Sequence, residues 1–495
     1  MKKENGIYFL FGAFVFLCLF LFFTQINPIV ILDGDDWYYI SYSRSAIPLF
    51  GDWNPCRIFP EVFMRACTEI GVYIINPFLN DYISSISFAY GLVISIFITI
   101  YIIRFQKLMQ SQFQLSRFSA IALSLLFLLF HFWIFRRNSS GNYYLFGSSD
   151  ATCYFYYVIP NLLNASLVMF FLEKRLYSFK DYKSKVLLSF IIVCVYFAVF
   201  SNLFPSIILA SLFGWVIVKY FIKNLQTKTV FSNLKTIQLP IVGMILWIIS
   251  LVFEAMGGRA ADDSLNESGG FNLFGSMKNL LSTVVSNSNR AFLLFVLTVI
   301  AVSIGLFIKN NKDLKSKYKN IGSLLITALF CMVLSTVYLV LLSARVNSEY
   351  IKRTEVFFCI AFYFFIILSS LLCLFIKKPI IKAILPLLLI IAVSITFTGS
   401  RTFFESNNIK VDSAVCKKID DYCIKQIVDT DSNGLAEVEL HVPIFDTSDN
   451  WPISDICAAR MSESLYQHHV INHRIKVNVI LDNHVNEQLG LEIKN

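Results

Sequence analysis

Eleven apolar runs of about bilayer-crossing length leave this chain little choice of fold. They lie near residues 7–29, 83–103, 119–135, 155–172, 186–203, 206–222, 237–256, 291–308, 321–342, 355–376 and 383–398. A helix needs roughly 20 apolar residues to cross about 30 Å of hydrocarbon. Inside that slab every backbone N–H and C=O must be satisfied internally, which makes the runs helices. The composition agrees, with 56% hydrophobic and 15% charged residues, and predicts a mainly α, polytopic membrane protein. Residues 7–29 lack a small-residue cleavage site after a short apolar core, so the first run is expected to be a retained helix.

The basic residues orient the chain. With the N-terminus in the cytoplasm, the inner segments carry 22 of the 42 Lys and Arg but only 4 of the 33 acids: Glu4, Glu173, Asp181 and Asp313. Positive charge collects on the cytoplasmic side of membrane proteins. The net charge of +9 is therefore an orientation signal and not a nucleic-acid footprint. An odd number of crossings places residues 399–495 outside. The expected organisation is a transmembrane domain, 1–398, with a long first outer loop, 30–82, and a C-terminal domain, 399–495.

Within that tail the alternating stretch 436–442 and the stretch 474–480 predict strands, and 453–467 predicts a helix. A small α+β unit packed against the outer mouth follows. Cys416, Cys423 and Cys457 would lie where oxidation is permitted, so a disulfide among them is open, with its pairing unspecified.

The first outer loop opens with Asp33-Gly-Asp35-Asp36-Trp37-Tyr38-Tyr39. Carboxylates at the edge of a hydrocarbon slab are costly unless a partner, water or substrate compensates them. Adjacent like charges raise at least one pKa, which suits a general base. Asp33 also fits a turn or helix N-cap. Further on, Arg57, Glu61, Arg65 and Glu69 recur every four residues, one face of an amphipathic helix lying in the interface. Arg65 and Glu69 read as a self-paired, solvated stripe; Arg57 and Glu61, nearer the acids, are site candidates.

Basic residues complement the acids. Arg345, Lys352, Arg353 and Arg401 flank the last outer crossings and are placed to hold a lipid phosphate, for which the planar guanidinium is well suited. Anchoring of helix ends is the alternative. The hairpin Ser201-Asn-Leu-Phe-Pro-Ser206 and the tyrosines 143, 144, 154, 156 and 157 resemble packing against a sugar-sized cavity, with an interfacial aromatic belt as the commoner explanation. His469 and His473 have i,i+4 spacing but lack the His-Glu-x-x-His pattern of zinc sites. Phosphate loops and nucleophile elbows are missing too. Few ionisable residues interrupt the crossings, which disfavours ion-coupled transport.

An N-in helix, an outer loop with Asp35-Asp36, an interfacial helix, about ten further crossings and an outer tail together resemble the GT-C superfamily. The length and the short basic N-terminus are similar to the serotype-converting O-antigen glucosyltransferases of temperate bacteriophages. The resemblance implies a bacterial inner-membrane enzyme that transfers glucose from undecaprenyl phosphate-glucose to the O-antigen repeat of lipopolysaccharide. It implies catalytic roles for Asp35 or Asp36, with Glu61 as a further carboxylate. The donor phosphate would be held by Arg57, Arg345, Lys352, Arg353 and Arg401, and the sugar or acceptor by Trp37, Tyr38 and Arg44. No cofactor is expected, although some members of the superfamily use a divalent metal. Partner proteins would synthesise and flip the donor. An O-antigen polymerase and a lipid-oligosaccharide flippase are the alternatives.

Overall fold

The structure is a computed structural model. It describes residues 2–48, 50, 53–135, 144–148, 150–225, 233–257, 271–309, 319–376, 412–444 and 454–491. The chain is mainly helical. Seven helices are long and apolar enough to cross a membrane: α1 (Gly6–Ile26), α4 (Tyr82–Phe113), α6 (Ala151–Lys174), α8 (Leu203–Leu225), α9 (Leu234–Met256), α12 (Gly322–Val346) and α13 (Thr354–Leu374). Three shorter apolar helices, α5 (Arg117–Trp133), α7 (Lys185–Val199) and α11 (Arg290–Gly305), fall on three more of the expected runs. The eleventh run, 383–398, lies outside the described residues.

Local chemistry sets the helix ends. Asp81 caps α4 through the Ser84 amide at 2.9 Å, Asp150 caps α6 through Cys153 at 2.6 Å, and Ser184 caps α7 through Leu187 at 3.3 Å. Each cap satisfies an amide that the first helical turn leaves without a partner. At the other ends, Gln114 and Arg175 take left-handed backbone conformations that close α4 and α6.

Burial separates central from peripheral helices. The apolar window of α6 is 89% buried and that of α13 78%, against 33% for α1 and α9. The exposed faces carry residues such as Phe14, Phe190, Ile245, Val252, Leu294 and Val333, a surface that water would penalise and lipid tails accept. Inside, Phe127, Phe130, His131, Phe146 and Phe365 form one aromatic cluster. His131 is satisfied there by Tyr101 Oη at 3.0 Å and the Phe127 carbonyl at 2.8 Å. It is a core histidine.

Short elements cover one end of the bundle, here called the mouth. They are α2 (Gly34–Tyr39) and α3 (Ile58–Glu69) in the first loop and α10 (Leu273–Ser286) before α11. The Phe59 amide donates to the Phe200 carbonyl at 3.0 Å and Asn272 to Ala344 at 2.9 Å, which knits these elements to the crossing helices.

The C-terminal residues form α14 (Ser413–Ser432), β1 (Glu437–Val442), α15 (Asp455–Gln467), β2 (Lys476–Leu481) and α16 (Asn483–Leu489). Both strands and α15 lie where the sequence placed them. The strands pair in parallel, Val438 opposite Val477 and Leu440 opposite Val479, an arrangement that requires a crossover such as α15. All three tail cysteines are buried, and no disulfide joins them. The helix ends at Gln467, and His469 has φ 58°; His469 and His473 therefore do not share a helix face.

This unit docks on the mouth. Ser464 Oγ meets Ser41 Oγ at 2.8 Å and donates to the Trp37 carbonyl. Tyr82 Oη lies 2.7 Å from His468 Nδ1, and Lys417 is 2.8 Å from Asp81.

Candidate functional site

Asp33 folds the acidic stretch. As N-cap of α2 it accepts from the amides of Asp35 at 2.9 Å and Asp36 at 3.0 Å. The short helix then turns its two other carboxylates in opposite directions. Asp36 is fully buried. Its Oδ1 accepts from Thr152 N at 2.6 Å, and its Oδ2 from Leu32 N at 2.9 Å and Ala151 N at 3.3 Å. It fastens α2 to the start of α6 through backbone amides on both sides. Asp35 is 57% exposed and meets Arg460 Nη1 of α15 at 3.0 Å.

Asp35 lines a cavity of about 260 Å³ at the mouth. Its walls come from segments far apart in sequence: Tyr39 on α2, Arg57 before α3, Asp150 capping α6, Tyr156 and Tyr157 on α6, Asn202 just before α8, Phe204 on α8, Glu254 on α9, and Tyr350 and Arg353 before α13. Arg57 makes no ion pair among the described residues; its Nη1 donates to Tyr39 Oη at 3.4 Å. Arg353 is held firmly. Its guanidinium meets Glu355 at 2.5 Å, donates to Cys153 Sγ at 3.0 Å, and stands 4.7 Å over the Tyr157 ring. Burial opposes its charge, but Glu355 and the groups around it hold its pKa well above the ordinary value.

The acids behind this wall are protonation-sensitive. Burial, reinforced by Asp150 and Asp35, pushes Asp33 up to about 7. Burial, Asp33 and Asp150 push Asp36 well above its ordinary value against the pull of Thr152. No described group of three or more His, Cys, Asp or Glu is placed to hold a metal ion.

Of the expected site residues that are described, Asp35, Arg57 and Arg353 line the cavity and the others do not. Glu61 is buried beneath it, paired with Arg44 and accepting from Tyr156 Oη at 3.0 Å; burial raises its carboxyl against the opposing pull of Arg44. Neither Glu61 nor Arg44 lines the cavity, because each satisfies the other. Trp37 is enclosed and stacked on Tyr82. Tyr38 packs on Tyr42 and under Arg460. Lys352 is exposed and paired with Glu349 at 2.5 Å. Arg345 is on the last turn of α12 without lining the cavity, and Arg401 lies outside the described residues.

Of the stretches read as either cavity packing or an aromatic belt, Asn202, Leu203 and Phe204 of the hairpin and Tyr156 and Tyr157 line the cavity, Tyr144 and Tyr154 are buried in the core, and Tyr143 lies outside the described residues. Asp150, Glu254 and Tyr350, which the sequence did not mark as site residues, also line the cavity. Asp150 carried a signal, an N-cap residue directly before an apolar run. No family model, curated protein or solved structure matches this chain. Two guanidinium groups, carboxylates and tyrosine faces share one recess at the end of apolar helices, a mix of charge and aromatic surface typical of a polar-ligand site.

Proposed function

We propose that this chain is a membrane glycosyltransferase. It moves a glucosyl residue from undecaprenyl phosphate-glucose to the O-antigen repeat of lipopolysaccharide on the periplasmic face of the bacterial inner membrane, in an eleven-crossing topology. One observation carries this reading: the exposed carboxylate of Asp35 shares a cavity with Arg57, which has no ion pair among the described residues, and with Arg353. The resemblance to the GT-C superfamily supports it.

In this mechanism Asp35 takes the proton of an acceptor hydroxyl as that oxygen attacks the anomeric carbon. The bond from that carbon to the phosphate oxygen breaks, and undecaprenyl phosphate leaves with the electron pair. Arg57 and Arg353 stabilise the charge that develops on the departing phosphate. Tyr156 and Tyr157 offer faces for the sugar ring, and Arg460 orients Asp35 from the tail. Asp36 and Glu61 shape the site without touching substrate.

The test compares the mass of the O-antigen repeat in cells with and without the chain and the donor-supplying proteins. One added hexose per repeat is expected. Asp35→Asn should slow transfer about 100- to 10,000-fold, the usual worth of a general base, with expression unchanged. Unmodified repeats with altered chain length would replace the transferase by a polymerase. An unchanged repeat mass and chain length would return the flippase.

A further inference from the structure

A second cavity, of about 250 Å³, opens at the end of the bundle opposite the mouth, between the far ends of α4, α6 and α8 and the beginning of α12. Gln112, Arg175, Tyr177, Trp215, Lys219 and Thr327 are among its described lining residues, which include no carboxylate. Arg175 and Lys219 make no ion pair among the described residues, so two positive charges border the recess with no described acid paired to either. The recess is built. Trp215 Nε1 donates to Thr327 Oγ1 at 3.0 Å, tying α8 to α12, and Gln112 Nε2 donates to the Leu172 carbonyl at 3.3 Å. Arg175 is carried there by the left-handed turn that ends α6, φ 54°.

The recess continues into an apolar groove. That groove, about 460 Å³, shares Trp215, Lys219, Ser323 and Thr327 with the cavity and adds Ile222, Gly322 and Ile326. A Cβ added at Gly322 would meet nothing within 4 Å, so the glycine leaves room along the groove. Cationic recess and apolar channel together have the form of one amphiphile.

We propose that this composite site holds one anionic phospholipid, its phosphate against Arg175 and Lys219 and an acyl chain along Ile222, Gly322 and Ile326. Arginine grips phosphate through its planar fork, and lysine adds a point charge. A zwitterionic headgroup leaves the two cations incompletely neutralised, and a free anion leaves the groove unused. The site is separate from the mouth cavity and independent of the proposed transfer reaction.

Native mass spectrometry of the full-length chain in detergent tests it, with phosphatidylglycerol, phosphatidylcholine and inorganic phosphate as probes. One phosphatidylglycerol should be retained at least about tenfold more tightly than phosphatidylcholine, a difference of about 1.4 kcal/mol. R175Q/K219Q should lose that preference. K180Q/K183Q, which removes two exposed charges from the same end, should keep it. Gly322→Leu should weaken phosphatidylglycerol retention with both cations in place. Equal retention of the two lipids, or of phosphatidylglycerol by the wild type and R175Q/K219Q, would overturn the site. So would equal loss in K180Q/K183Q, or displacement of the lipid by inorganic phosphate.

Discussion

Asp33 makes the mouth sensitive to pH in a direction that can be worked out. Its carboxyl titrates near 3.8 in the unfolded chain and near 7 in the folded one. Between those values the native protein binds more protons than the unfolded chain, so stability falls as pH rises through the window. The melting temperature is therefore expected to be higher near pH 5 than near pH 8. D33N should flatten the difference while still capping α2, since asparagine serves as well at an N-cap. A melting temperature of the wild type that does not change across this range would remove the proton from the cluster. Arg353 gives a second prediction. Its partner Glu355 has a side chain only 5% exposed, so R353Q strands a buried charge at a cost of about 3 kcal/mol. R353Q/E355Q should recover part of that loss, and the double-mutant cycle from thermal unfolding measures the coupling.

Among the elements, close approach of α1 and α4 depends on a missing side chain. A Cβ at Gly91 would come within 2.7 Å of the Phe23 carbonyl oxygen and of Thr24 Cγ2. Gly91→Ala is expected to force the helices apart and cost about 1–3 kcal/mol. Gly214→Ala on α8, with nothing within 4 Å of the new methyl, should leave the melting temperature unchanged or slightly raised; equal losses at both sites would mean that helix contact is not the cause. The element level also shows what a sequence pattern hides. The four-residue stripe on α3 divides in the structure. Arg65 and Glu69 pair with each other at 2.9 Å, both about half exposed, as the solvated reading expects. Glu61 turns inward to Arg44 because the apolar face of α3, Ile58, Phe59 and Met64, is itself buried.

For the whole molecule, the arrangement places the first loop, the starts of α6 and α8, and the C-terminal unit at one end, and the basic segment near Lys180 and the far end of α8 with Lys219 at the other. The proposed orientation puts the first set in the periplasm. Alkaline phosphatase fused after residue 491 should then be active and fused at Lys180 inactive; the reverse pattern would invert the topology. The C-terminal unit belongs to the mouth by contact. Arg460 reaches Asp35, and His468 reaches Tyr82 across 386 residues of chain.

Most of the crossing helices, and both tail strands, were legible in the sequence. Hydrocarbon imposes a length and an apolar composition that a run of some 20 residues carries by itself, and a half-buried strand imposes alternation. Helix caps such as Asp33 and Asp81 are equally local. The acidic stretch could be located in the same way, but not which of its carboxylates is available. That depended on where distant segments came to rest. Asp36 is consumed by the amides of Ala151 and Thr152, more than a hundred residues away, whereas Asp35 is left open beside Arg460, 425 residues away. The sequence by itself determined the length and apolar character of each segment; only tertiary packing decided which polar groups were buried against distant partners and which stayed exposed at the mouth.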